Sequence, residues 1–237
     1  MGNVRPRPPA APCRAAHRIV DHDPQIDPCE FVAAIKPALQ RRDAQAISET
    51  ARQRWTAEQV VSLLGCDHCD ARKVAALALS LAGCKGCIVP LGRALRDSDQ
   101  MVAEMAEHAM WSIWSRGGSP DANHQLKRGV DAMERNDVPH AINHFDRAIS
   151  LSPDFAEAYN QRALARFILE QYQQSLDDCR KTVELEPLHF SAWAGMGHCY
   201  AHLGDCAHAL ECYRKAVDIN PHMHHIREAL NAGCSDS

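Results

Sequence analysis

The chain has 237 residues, 46% hydrophobic and 5% aromatic, so its core is built mainly from Ala, Leu, Val and Ile, which suits closely packed helices. The formal net charge of −4 argues against a nucleic-acid partner, because nucleic-acid-binding proteins present a basic patch. The sequence has no run of about 18 apolar residues and no apolar signal segment. We therefore expect no membrane partner and a reducing, cytoplasmic setting for the 11 cysteines, with the oligomeric state open.

Residues 1–26 mix Pro, Arg and His without periodicity, and we predict a disordered leader there. From Asp27 onward the pattern becomes helical, with an apolar stripe at four-residue spacing formed by Phe31, Ile35 and Leu39. Pro37 predicts that this first helix kinks or ends early, because proline has no N–H to donate.

The next helices are marked by their caps and then by a repeat. Asp43 is a predicted N-cap, and Thr56 with Gln59 forms a predicted capping box. A period of about 31 residues follows, in which a short helix precedes a longer, Ala-rich one. The matched positions of this shorter period are Val60 and Leu91, Leu64 and Leu95, Ala75 and Ala106, Ala78 and Ala109, and Leu79 and Met110. The arrangement resembles the short HEAT-like repeats of bilin-lyase relatives, which implies HEAT-like helical repeats over residues 27–118.

A second, longer period of about 34 residues follows the Gly117–Pro120 boundary. The positions in register are Gly129, Ala163 and Gly197; Ala141, Ser175 and Ala209; Phe145, Cys179 and Tyr213; Ala148, Thr182 and Ala216; and Pro153, Pro187 and Pro221. This spacing of small, aromatic and proline residues is typical of a helix-turn-helix repeat. The third copy is the clearest, with Trp193, Met196, Gly197 and Tyr200 at the expected offsets.

The longer period resembles the tetratricopeptide repeat family. The resemblance implies an all-α, right-handed α-solenoid in which HEAT-like pairs precede three repeat units at 122–155, 156–189 and 190–223. Residues 119–223 then form the repeat domain, with Asp121 as the expected first N-cap, and 224–237 form a capping helix and tail.

The resemblance also implies a function. In this family the first helix of each unit lines a concave groove that binds a protein or peptide. The positions carried over are Asn123, Leu126, Val130, Asn160, Leu164, Phe167, His198 and His202. Asn160 is the expected partner of a peptide backbone, since an amide donates and accepts. Some members clamp a terminal carboxylate with cationic side chains, and this chain departs from them at Leu126, Val130, Ser191 and Ala194.

Two cysteine pairs carry the strongest alternative. Cys66 and Cys69 precede Cys84 and Cys87, a spacing that can form a four-thiolate zinc site. However, the intervening residues 71–82 read as one helix, which would separate the pairs by roughly 20 Å at about 1.5 Å per residue. Buried or turn cysteines, a metal site and a redox role remain open, with Cys69 best placed for a lowered pKa at a helix N-terminus.

Other polar clusters have plainer interpretations. His198 and His202 could face one ion from one helix, but they lack the glutamate of a metalloprotease motif. Asp177 and Asp178 read as a solvated helix face. Trp111 and Trp114 are predicted to pack the seam between the two repeat types.

Phosphate-loop, nucleophile-elbow and dinucleotide motifs are absent from the sequence. We therefore expect a non-catalytic scaffold or adaptor without a cofactor. The alternative is a metal- or redox-responsive protein that uses the cysteine pairs or the His198/His202 cluster. The HEAT-like resemblance to bilin lyases leaves an enzyme as a third interpretation, although no pigment pocket is specified.

Overall fold

A computed structural model describes residues 26–233, and every regular element in that range is helical. The helices are α1 (Pro28–Gln40), α2 (Ala44–Arg54), α3 (Ala57–Ser62), α4 (Cys69–Ala82), α5 (Ile88–Ala94), α6 (Gln100–Trp114), α7 (Pro120–Glu134), α8 (Val138–Leu151), α9 (Ala156–Ile168), α10 (Tyr172–Leu185), α11 (Phe190–His202), α12 (Cys206–Ile219) and α13 (His224–Ala232). The all-α solenoid expected from the repeats is confirmed. The predicted leader falls almost wholly outside the described residues.

Most predicted caps are present. Asp43 accepts from the backbone N–H of Ala46, and Thr56 with Gln59 closes the capping box of α3. The prediction for the start of α7 was wrong. Ser119 is its N-cap and Pro120 its first residue, so Asp121 lies inside the first turn.

The sequence predicted that Pro37 kinks or ends the first helix early. The early end was wrong, since α1 continues through Pro37 to Gln40. Proline has no N–H to donate and its ring crowds the carbonyl of residue i−4, but its own carbonyl still accepts, and Arg41 donates to it at 3.4 Å. Phe31 and Ile35 are buried, as the stripe predicted.

The shorter period corresponds to two pairs, each made of a short helix and a long one. The short helices α3 and α5 begin at Ala57 and Ile88, and the long helices α4 and α6 begin at Cys69 and Gln100. The two short helices therefore begin one period apart, and so do the two long helices. Arg72 on α4 joins the units by donating two hydrogen bonds to Asp97, at 2.7 and 3.0 Å.

The longer period gives three antiparallel pairs, which we call the first (α7, α8), second (α9, α10) and third (α11, α12) repeats. The turns between the two helices of each repeat share one backbone geometry. Asn136, Glu170 and Gly204 occupy equivalent positions, and each has a positive φ, at 58°, 59° and 81°. The third repeat has glycine there, which adopts the left-handed region without the strain of a side chain.

The helices before Gly117 fold back onto the third repeat. Trp111 and Trp114 of α6 contact the rings of His189 and Phe190, so the predicted seam is present. This packing brings together helices that are distant in the sequence.

Hydrogen bonds and an ion pair also join the helices before Gly117 to the later part of the chain. Lys85 reaches Leu185 O at 3.2 Å and pairs with Glu186 at 2.5 Å. His222 Nε2 donates to Leu95 O at 2.9 Å, and Arg96 donates to Asp218 O. A solenoid with only neighbour contacts would have none of these bonds.

The prediction that the acidic pair on α10 forms a solvated face was wrong for one of its members. Asp177 is exposed, but the Asp178 side chain is only 5% exposed. Arg162 and Arg166 of α9 both donate to the Asp178 carboxylate, at 2.6 and 2.7 Å. Arg162 also reaches Asp146 of α8, so one cation links the first two repeats.

Candidate functional site

A cavity of about 470 Å³ opens between α6, α9, α11 and the segment before and at the start of α13, and we call it the inter-repeat cavity. Its lining residues include Glu107, Trp111, Asn160, Gln161, Leu164, Phe167, Phe190, Ser191, Ala194, His198, Asn220, His222 and His225. Four of the eight predicted contact residues, namely Asn160, Leu164, Phe167 and His198, therefore lie together.

The apolar part of the cavity is open to solvent. Leu164 is 49% exposed and Ile168 is 50% exposed, at positions that share one face of α9. His202, also predicted as a contact, lies beside them. Its ring stacks on Tyr172 at 4.5 Å and meets the edge of Phe167 at 5.2 Å. These rings form a shelf next to the cavity.

His198 is held on the cavity wall by a hydrogen bond between its Nδ1 and the Tyr213 hydroxyl, 2.8 Å apart. Burial lowers the pKa of His198, and the nearby His225 and His202 lower it further. The imidazole is therefore neutral at physiological pH and serves as a hydrogen-bonding group.

Asn160 is placed differently from its predicted role. It is buried, and its amide faces the Glu157 carboxylate at 3.3 and 3.4 Å. Glu157, itself 3% exposed, also accepts from Gln161 at 2.6 Å and from His189 Nε2 at 2.8 Å. His189 Nδ1 accepts from the Ala192 backbone, so Nε2 carries the proton. This buried network fixes Asn160 before any ligand arrives.

The three predicted contacts on α7 do not reach the cavity lining. Asn123 accepts from the Gly118 N–H and donates to Arg116 O, so its amide fixes the loop before α7. Leu126 is buried in the core of the first repeat, and Val130 packs against that core. All three are first-helix residues, as the family positions imply, but no described residue of α7 lines this cavity.

The paired cysteines lie at opposite ends of α4, which spans Cys69–Ala82. Cys66 and Cys69 lie before and at the start of α4, whereas Cys84 and Cys87 follow its end. Within residues 26–233, no three His, Cys, Asp or Glu side chains are grouped in a way that could hold a metal ion.

The expectation that Cys69 has a lowered pKa was wrong. Its thiol donates to Asp99 Oδ2 at 3.1 Å, and this hydrogen bond to a carboxylate raises the pKa of Cys69. The nearby Lys73 opposes the effect but does not reverse it. A reactive thiolate is therefore disfavoured at the helix N-terminus where the sequence pointed to one.

A second pair of thiols went unnoticed in the sequence. Cys179 and Cys199 are buried and hydrogen-bonded to each other, and Cys199 donates to Ser175 Oγ at 3.3 Å. The sequence did contain one signal for this pair. The longer period places Cys179 in register with Phe145 and Tyr213, at a position that faces the core. Both thiols belong to the core between the second and third repeats.

Sequence models of the tetratricopeptide repeat match residues 126–185 and 190–223. A TPR repeat-containing protein of Rhizobium etli is 31% identical over 136 residues, which cover 57% of this chain and 67% of that protein. The chain belongs to the tetratricopeptide repeat family. Its three helix pairs are tetratricopeptide repeats, and the inter-repeat cavity lies on the first helices of the second and third.

Other relatives share a smaller part of their length. The Hsp70-Hsp90 organizing protein of Triticum aestivum is 31% identical over 116 residues, 49% of this chain and 19% of that protein. Among solved structures, the first TPR of Spaghetti (RPAP3) bound to an HSP90 peptide has a TM-score of 0.47 at 19% identity, covering 47% of this chain and 89% of that one. Over the residues that the structure describes, no helix is both long and apolar enough to cross a membrane.

Proposed function

We propose that this tetratricopeptide repeat protein is a non-catalytic adaptor that holds a segment of a partner protein in the inter-repeat cavity. The observation that carries the proposal is the exposed apolar surface of α9 beside that cavity, where Leu164 and Ile168 remain half exposed. Contiguous exposed apolar surface next to a concave opening is typical of an interaction site.

The contacts that we propose are Leu164, Phe167, His198 and His202, with Ile168 added from the structure. Leu164, Ile168 and Phe167 supply apolar area, and the two histidines supply hydrogen bonds.

The remaining predicted contacts are treated separately. Asn160 is proposed as a contact through the side of its amide that lines the cavity, since its nitrogen already faces Glu157. Asn123, Leu126 and Val130 are left out because the chain's own loop and core engage them.

The relatives support the class of partner. The name of the Triticum aestivum relative connects that protein with Hsp70 and Hsp90, which are proteins rather than small molecules. We propose the same class here, in a cytoplasmic setting that suits a chain with 11 cysteines. The division into HEAT-like helices at 27–118, repeats at 119–223 and a cap at 224–237 belongs to the same proposal.

The test compares two exposed leucines. Leu164→Asp places a charge beside the cavity, whereas Leu151→Asp places one at the end of α8, and both leucines are 49% exposed. We expect the Leu164→Asp variant to capture at least tenfold less partner than the unaltered chain does. The reason is that a carboxylate in an apolar contact must be desolvated. The Leu151→Asp variant should recover as much as the unaltered chain.

Circular dichroism and melting temperature check that both variants remain folded. Equal recovery by the two variants would show that partners bind elsewhere on the molecule, and the proposed site would then be wrong.

A further inference from the structure

The inter-repeat cavity has an unbalanced charge. Among its lining residues that the structure describes, Glu107 is the one Asp or Glu, and none is Lys or Arg. No hydrogen bond or ion pair from residues 26–233 reaches the Glu107 carboxylate. The neighbouring carboxylate, Glu157, is in contrast buried and engaged by His189 and Gln161. Glu107 is therefore the group that a ligand would have to match.

The groups near Glu107 suit a cation on an apolar stem. Trp111 follows Glu107 by one helical turn, so both side chains project from one face of α6 into the cavity. An aromatic ring attracts a cation, and the attraction strengthens when water is excluded. Leu164 and Phe167 of α9 line the same cavity and offer apolar surface to the methylene groups of a long side chain.

The histidine His198 does not oppose a cation at neutral pH. Burial lowers the pKa of His198, which leaves its ring uncharged. His222 Nε2 is occupied as a donor to Leu95 O at 2.9 Å. The long-range field favours a cation, since residues 119–237 contain 11 Lys and Arg against 17 Asp and Glu.

We propose that the inter-repeat cavity takes the side chain of a lysine or arginine from the partner segment, with the cation between the Glu107 carboxylate and the Trp111 ring and the stem against Leu164 and Phe167. This inference rests on the proposed function and names the partner's chemistry: a basic segment with apolar flanks, rather than an acidic tail. It also gives the helices before Gly117 a role, because α6 supplies the recognition groups.

The test uses the full chain and three matched peptides, acetyl-Gly-Ser-Leu-X-Leu-Ser-Gly-amide, in which X is Lys, Met or Glu. Binding at pH 7.5 is followed by the nuclear magnetic resonance shift of the Trp111 indole N–H, assigned with Trp111→Phe. We expect the lysine peptide to bind about fivefold more tightly than the methionine peptide, and the glutamate peptide to bind least.

The matched variants are Glu107→Gln and Glu104→Gln, both on α6. Glu104 is exposed and outside the cavity lining, so its replacement should leave the lysine preference unchanged. Glu107→Gln should reduce the preference for lysine over methionine to less than twofold. Raising the salt concentration should weaken only the lysine peptide, since an ion pair is screened.

Several results would overturn the inference. These are equal binding of the three peptides, a lysine preference that survives Glu107→Gln, or no binding of the lysine peptide at millimolar concentration. If Leu164→Asp abolishes partner capture while the charge preference is absent, the proposed function stands and this inference alone fails.

Two further results would assign the cavity to another occupant and likewise overturn the inference. Tenfold tighter peptide binding after Arg5, Arg7, Arg14 and Arg18 are changed to Ser in the full chain would assign it to the chain's own residues 1–25. A dimer that the lysine peptide dissociates in sedimentation would assign it to a second copy.

Discussion

At the scale of single residues, Asp177 and Asp178 show how far neighbours in sequence can differ in environment. Successive residues of a helix point about 100° apart, so one can face solvent while the next faces another helix. Asp178 meets Arg162 and Arg166, and these partners decide its burial. Burial alone would lower the pKa of Arg162, but the bonds to Asp178 and Asp146 more than reverse this and raise it. Helical periodicity shows that the two side chains diverge around α10, but it did not predict the arginines that α9 brings to Asp178.

We predict that Asp178→Ala lowers the free energy of unfolding by about 3 kcal/mol, because it leaves two cations partly buried without their carboxylate. Asp177→Ala, whose side chain is 61% exposed, should change it by less than about 1 kcal/mol. Chemical denaturation of the full chain measures both. Similar losses in the two variants would contradict the buried ion-pair assignment.

At the scale of helices, each repeat matches a small residue on its first helix to the size of a residue on its second. A Cβ added to Gly129 would lie 2.3 Å from Phe145 Cε1, and one added to Gly197 would lie 2.3 Å from Tyr213 Cε1. The second repeat carries alanine at the equivalent position, Ala163, where the residue in register with those rings is Cys179. The longer period predicted these positions, and the contacts explain why the small residue varies.

We predict that Gly129→Ala costs about 1–3 kcal/mol of stability, since the added methyl group overfills a packed contact with Phe145. Adding Phe145→Cys to Gly129→Ala copies the pair found in the second repeat. The cost of the double change should therefore be less than the sum of the two single changes by about 1 kcal/mol. Urea denaturation of the four proteins measures this coupling, and strict additivity would show that the two positions do not compensate each other.

Much of the helical layout follows from local signals and periodicity. Each of α8, α10 and α12 lies within the repeat unit that the longer period predicted, because small and proline residues recur at a fixed spacing. At Pro37 and Asp121 the local signal was misread, since α1 continues past the proline to Gln40 and Ser119, rather than Asp121, is the cap of α7. The Glu107 carboxylate carried no signal in the sequence, because its importance depends on what lies opposite it.

At the scale of the whole molecule, α6 joins the two repeat regions. Trp114 is 3% exposed and its ring stacks on His189 at 4.1 Å, in a core that also contains Phe190. Periodicity could not predict this packing, because each repeat pattern reports only contacts with its neighbours. The sequence pointed to the two tryptophans of α6 as seam residues. It did not indicate that their partners are His189 and Phe190, at the start of α11.

We predict that Trp114→Ala increases hydrogen exchange in both α4 and α11, because the residue contributes to a core shared by the two regions. A large-to-small change of this kind costs about 3–5 kcal/mol. Phe31→Ala, in a buried residue of α1, should increase exchange in α1, α2 and α4 while leaving α11 protected. Exchange measured by mass spectrometry on the full chain distinguishes these patterns, and an unchanged α11 in Trp114→Ala would show that the two regions unfold independently.

The bonds from Lys85 to Leu185 and from His222 to Leu95 join residues 100 and 127 positions apart. During synthesis on the ribosome, α5 and α6 therefore leave the exit tunnel long before the third repeat exists. Their apolar faces remain uncovered until more than half of the remaining chain has been translated. Although each helix pair is local, the assembled molecule is completed only when its last repeat emerges, and the cavity wall supplied by α6 is completed at that same moment.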